Sequence, residues 1–126
     1  MAGREYRLID AGTPPITMKE GAVAMGRLLD DWPQVQAVIC VSDLSAFGAL
    51  GECQRRGIAV PGRVAIGGFG AFDVAGCAVP TITTVDAFAG QIGAKAAQMI
   101  VQVLAGETVP HVVRVVPRLI LGGSSQ

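Results

Sequence analysis

The sequence predicts an α/β domain on an open, mostly parallel sheet in a three-layer arrangement. Strand-like and helix-like segments alternate along it, and the firmest strand, Ala37 to Val41, is continuously apolar and rich in β-branched residues. At 126 residues, 51% of them hydrophobic, the chain is long enough for one core and too short for two ordinary domains.

Tyr6-Arg7-Leu8-Ile9 reads as a short strand, ended by the turn-forming residues Asp10 to Pro15. Met18, Ala22, Met25, Leu28 and Leu29 then recur at helical spacing, with Thr17 as the N-cap and Trp32-Pro33 closing the segment. Ala37 to Val41 has the pattern of a strand buried on both faces. Ser42 suits the cap of the next helix, Asp43 favours its positive end, and Gly57 fits a left-handed C-terminal cap after Arg55 and Arg56. Pro61-Gly62 turns the chain into a third strand, Val64 to Gly68, followed by a glycine-rich loop reaching to about Pro80.

In such a βαβαβ order, right-handed crossovers make the strands parallel and put ligands beyond their carboxyl ends. Those ends are Asp10 to Thr17, Ser42-Asp43, and Gly68 to Asp73. After Thr83-Thr84-Val85, the positions Ile92, Ala96, Met99, Ile100, Val103 and Leu104 form an amphipathic helix closed by Gly106. Val112 to Val116 and Leu119 to Leu121 read as strands on either side of Pro117, and Gly122 to Gln126 as a frayed tail.

Ten basic and ten acidic residues give no net charge, so the broad positive field that holds proteins on nucleic acid or anionic membrane is missing. The apolar runs fall far short of the roughly 20 residues of a membrane span. The start also lacks the apolar stretch of about 7 to 15 residues of a secretory signal, and a cytoplasmic location is the expectation. Three cysteines at wide spacing, Cys40, Cys53 and Cys77, match no disulfide framework and read as reduced, structural residues.

Catalytic chemistry finds little support. The single histidine, His111, lies in a loop after the last helix, remote from all three carboxyl ends, so no Ser-His-Asp or Cys-His device and no zinc set is expected. Gly68-Phe69-Gly70 follows a strand as a dinucleotide fingerprint does, but it comes at the third strand and Asp73 replaces the last glycine. No cofactor or metal is expected. Asp43 and Asp73 are carboxylates at neighbouring strand ends, suited to sugar hydroxyls or to acid-base work, with helix capping as the structural alternative for Asp43.

Ala37 to Gly48 resembles the strand and "(N/S)D-x-x-A-x-G" helix start of the LacI/GalR transcriptional regulators. The likeness continues in order: Arg56-Gly57-Ile58-Ala59-Val60-Pro61 for "RG-x-x-VP", Val64 to Phe69 for "V-A-(I/V)-x-G-F", Pro80 to Val85 for "P-x-(L/I)-T-T-V", then Ile92-Gly93 and Ala96-Ala97. In that family a helix-turn-helix headpiece precedes a two-lobed core like that of periplasmic sugar-binding proteins. The resemblance implies that residues 1–126 are the C-terminal portion of such a core, a partial type I periplasmic-binding-protein-like lobe. Residues 86–117 would belong to the other lobe, and the DNA-binding headpiece would lie outside this chain.

The same resemblance implies an effector site of Ile16, Thr17, Ser42, Asp43, Phe69, Gly70 and Asp73. Ser42 stands where the family often places Asn, and Gly68-Phe69-Gly70 where it often reads "GFDD", so one pocket acid is missing. Together with the Glu52 to Pro61 stretch, that loop resembles the gluconate-operon repressor branch and implies a sugar acid, because losing a pocket carboxylate removes repulsion against an anionic ligand. Leu44, Phe47, Gly51 and Cys77 are the implied dimer contacts, with core packing as the structural alternative. The expected partners are a small sugar or sugar acid and a second copy of the chain, with DNA bound only through the absent headpiece and no membrane. A transport solute-binding protein, or an enzyme on a doubly wound scaffold, is the alternative.

Overall fold

The computed structural model describes residues 5–126. Its elements run α1 (Met18–Asp31), β1 (Ala37–Ile39), α2 (Asp43–Arg55), β2 (Ala65–Gly67), α3 (Asp73–Cys77), β3 (Thr84–Asp86), α4 (Ala89–Leu104) and β4 (Arg118–Ile120). The α/β class and the parallel pairing expected from the sequence are both present.

The local signals place the first two helices. Thr17 caps α1 through a reciprocal box: Glu20 N–H donates to Thr17 Oγ1 at 3.2 Å and Thr17 N–H to Glu20 Oε2 at 2.7 Å. Those bonds to Thr17 hold the Glu20 carboxyl below its ordinary range. Ser42 caps α2 in the same manner with Ser45 as its partner, and Gly57 continues past the helix at φ +66°, a backbone that side chains other than glycine strain to adopt.

The two helices then pack closely through glycines. A Cβ on Gly21 would run into Ser45 O and one on Gly48 into Met18 O, so the contact depends on their bare backbones. On the outer rim Arg56 joins the helices, reaching Asp30 Oδ1 at 2.6 Å and Glu52 Oε1 at 2.7 Å, and it holds both carboxyls below their ordinary range. The core lies beneath, around Met25, Leu28, Ala46, Leu50, Val64 and Ile66.

β1 and β2 pair in parallel, with Ala37 opposite Ala65 and Ile39 opposite Gly67. The sheet continues through a parallel bridge from Gly67 to Thr83, and β3 pairs antiparallel with β4, with Asp86 opposite Arg118. Several expectations from the sequence change here. Tyr6 to Ile9 forms no strand: Arg7 stacks on Trp32 at 4.8 Å and bonds Asp31 O at 3.3 Å, and a cleft of about 610 Å³ separates the segment from β1. β1 is therefore an edge strand rather than one buried on both faces, with Ile39 82% exposed. Val112 to Val116 also stays outside any sheet, largely exposed, while the expected loop after β2 contains the short helix α3.

A further correction concerns the end of the chain. Gly122 to Ser124 is no frayed tail but a clasp between β2 and β3. Ile66 N–H donates to Ser124 O at 2.9 Å and Ser124 N–H to Thr81 O at 2.9 Å. The Ser124 hydroxyl donates to Ile66 O at 2.5 Å and accepts from Thr83 N–H at 2.9 Å. Gly122 lies so close to Thr81 O that a Cβ would come within 2.6 Å of it. The tail thus occupies the ladder positions where β2 and β3 diverge, and Ser124 is 0% exposed.

α4 has the expected boundaries but no buried residue, and its apolar positions Ile92, Ile100, Val103 and Leu104 face solvent. No described helix is long and apolar enough to cross a membrane. Ser124→Ala should lower the urea midpoint with an unchanged slope, by about 1–3 kcal/mol for the buried groups left without partners; a frayed tail would give no change.

Candidate functional site

The carboxyl ends of β1 and β2 meet at one buried acid. Asp43, in the first turn of α2, is 0% exposed. Its Oδ1 accepts from the Thr84 hydroxyl at 2.6 Å and its Oδ2 from Phe72 N–H at 2.7 Å, while its own N–H donates to Phe69 O at 3.0 Å. The start of α2 supplies further positive potential, so burying this charge is offset by good hydrogen bonds and a favourable dipole. Gly68 is required beside it, because a Cβ there would overlap Asp43 Oδ1.

These bonds fix the loop after β2. Gly70 N–H donates to Val85 O at 2.9 Å and Ala71 N–H to Thr84 Oγ1 at 3.2 Å, with backbone φ of +120° and +54° respectively. Ala71 and Phe88 are the non-glycine residues with positive φ among the described residues, and they lie at the ends of β2 and β3. Such conformations cost about 1–3 kcal/mol each and persist only where their surroundings enforce them. The loop presents Phe69 and Phe72, 46% and 48% exposed.

The remaining expected ligand residues are distributed unevenly. Ser42 is half-buried, with its hydroxyl engaged in the cap. Asp73 is exposed in the first turn of α3, so the two acids expected at neighbouring ends occupy opposite environments. Ile16 lines the cleft beneath residues 5–12, and the Thr17 hydroxyl is committed to Glu20. That cleft lies away from the β2 loop and records the gap beside β1, so its size says little about the site. Thr84, the hydroxyl partner of Asp43, was not among the residues expected from the sequence, nor was the pairing of Asp86 with Arg118. Positions 84 and 86 share a face by strand alternation, a signal that was available; the cross-strand partner Arg118 had none.

Cys40 and Cys53 are free and in the core region, and burial pushes the Cys40 thiol up to about 12, with Cys53 adding to the effect. Among the described residues no three His, Cys, Asp or Glu side chains gather as metal ligands. Leu44, Phe47 and Gly51 follow one another along α2 at near-helical spacing; Phe47 is exposed, as is Cys77 in α3.

The family model of the periplasmic binding protein-like domain matches residues 3–125. This chain belongs to that domain family. Over 105 residues the periplasmic-binding-protein-like domain is 34% identical to the HTH-type transcriptional regulator GntR of Pseudomonas aeruginosa, an alignment covering 79% of the chain and 31% of the relative. It is similar in structure to the transcription regulator GntR from Chromobacterium violaceum, with TM-score 0.81, 39% identity, and coverage of 88% of the chain and 41% of the other. A complex of the regulator CelR with cellobiose gives TM-score 0.79 and 35% identity over 86% of the chain and 33% of the other.

The domain spans about a third of the length of the curated relatives it matches. The resemblance to LacI/GalR regulators therefore stands, and it is to their C-terminal region; the relatives are transcription regulators rather than enzymes. Asp43→Ala should cost about 1–3 kcal/mol for each of the Phe72 N–H and Thr84 hydroxyl groups it orphans, read from urea denaturation. Asp73→Ala, at an exposed position, should lie within about 0.5 kcal/mol of wild type.

Proposed function

We propose that this domain is the C-terminal part of the effector-sensing core of a sugar-responsive, LacI-type transcription regulator, and that its ligand is a small sugar or a gluconate-like sugar acid. The observation that carries this reading is the loop after β2, held by Asp43 with two half-exposed phenyl rings at the carboxyl ends of a parallel pair. Aromatic faces suit the C–H faces of a polyol, and Gly70 leaves the loop without an acid that would repel a carboxylate. A structural relative supports a sugar as ligand: the regulator CelR is solved in complex with cellobiose.

Within this reading Phe69, Gly70, Ser42 and Asp73 line the site, Ile16 and Thr17 border it, and Asp43 positions the loop from behind. Residues 86–117 belong to the second lobe, which fits an α4 with no buried residue. The ligand acts by binding the two hinge states unequally, and its effect on DNA binding cannot exceed that difference. DNA is contacted by a headpiece outside this chain. The domain dimerises through Leu44, Phe47, Gly51 and Cys77.

A thermal melt against a panel of sugars and sugar acids tests the sensor. Saturation at about 100 times Kd should stabilise the fold by about 2.7 kcal/mol, and a melt unmoved by every ligand would exclude a working pocket. For the interface, sedimentation should find a dimer that Phe47→Glu converts to monomer without lowering the melting temperature; a wild-type monomer at all concentrations would exclude this surface.

A further inference from the structure

We infer that Asp86, Phe88 and Arg118 form the clamp that recognises the 2-hydroxycarboxylate end of a sugar acid, an inference that rests on the sensor reading above. β3 carries Thr84 and Asp86 on one face, and the buried Thr84 hydroxyl donates to Asp43, the acid that holds the β2 loop from behind. Arg118 is the antiparallel partner of Asp86, and directly opposed residues project from the same face. Gly70 N–H donates to Val85 O at 2.9 Å, so the β2 loop runs beside the start of this pair.

Its groups are held but not saturated. Asp86 Oδ1 accepts from Phe88 N–H at 2.8 Å, which pins the carboxylate. Its Oδ2 lies 3.6 Å from the Arg118 guanidinium, beyond a good hydrogen bond. Arg118 is seated over the Phe88 ring at 5.4 Å, its side chain is 65% exposed, and it makes no side-chain hydrogen bond among the described residues. Phe88 adopts the left-handed backbone that makes this arrangement, at φ 53° and ψ 51°.

An arginine stacked on a ring with its planar fork unspent is matched to a carboxylate, which it binds bidentately. The adjacent acid accepts one further hydrogen bond on Oδ2. An aldonic acid supplies both functions on neighbouring atoms: its C1 carboxylate takes Arg118, and its C2 hydroxyl donates to Asp86. Phe88 N–H bonds Asp86 and the Arg118 guanidinium lies beside it, which lessens the repulsion between this acid and an anionic ligand. A neutral sugar would use the acid and leave the fork of Arg118 unpaired.

Isothermal titration of the chain with gluconate, with glucitol and with 2-deoxygluconate separates these contributions. Wild type should bind gluconate most tightly. Arg118→Met should weaken gluconate by about 10- to 100-fold and leave glucitol within about twofold. Arg118→Lys, which keeps the charge and loses the fork, should fall between. Asp86→Asn, which retains an acceptor for Phe88 N–H, should shrink the gap between gluconate and its 2-deoxy analogue. Melts without ligand check that the variants fold, and a destabilised Arg118→Met leaves Arg118→Lys and Asp86→Asn as the readout. Equal gluconate binding by wild type and the folded Arg118 variants would overturn the clamp and leave the sensor reading intact. So would a wild type that binds neutral sugars and not gluconate. A wild type that binds no sugar or sugar acid would overturn both.

Discussion

Asp43 is an acid with no access to solvent, and its burial is tolerable only because each oxygen has a hydrogen-bond donor. One of those donors comes from the loop after β2 and the other from β3, so a single carboxylate on α2 ties together three parts of the domain that are distant in sequence. The left-handed Ala71, the placement of the two phenyl rings and the bare Gly68 all follow from where this acid stands. The site is therefore less a pocket added to a scaffold than the place where the scaffold is joined.

Local chemistry was legible in the sequence where it acts locally. Thr17, Ser42, Asp43 and Gly57 announce helix ends because a cap requires a particular side chain or backbone freedom within three residues of its partner. The apolar pattern of Ala37 to Val41 identified a strand but could not report how many neighbours it has, and its outer edge is open. Tyr6 to Ile9 has strand composition, yet Arg7 binds α1 instead. α3 escaped notice because five residues, one of them Gly76, are too few to show a helical period.

Long-range partnership left the weakest trace. Gly122-Gly123-Ser124 has the composition of a loose end, while its role depends on the absence of side-chain bulk and on one hydroxyl placed between two strands. Asp86 and Arg118 look like ordinary surface charges until the β3–β4 register sets them opposite each other. The motif pattern compensated for part of this blindness. It pointed to the C-terminal region of a known regulator family, which neither the clasp nor the β3–β4 register could have suggested.

The Ser124 clasp also sets an order of events during synthesis. Ile66 and the hydroxyl that completes its strand edge are 58 residues apart, an interval of about 3–12 s at typical translation rates. Throughout it β2 has an unfinished edge, and the loop it supports lacks its final brace. Such an edge invites pairing with another nascent chain. A ribosome that stalls between these points would leave a polypeptide with its helix pair formed and its sheet open, a natural client for a chaperone that shields unpaired strands.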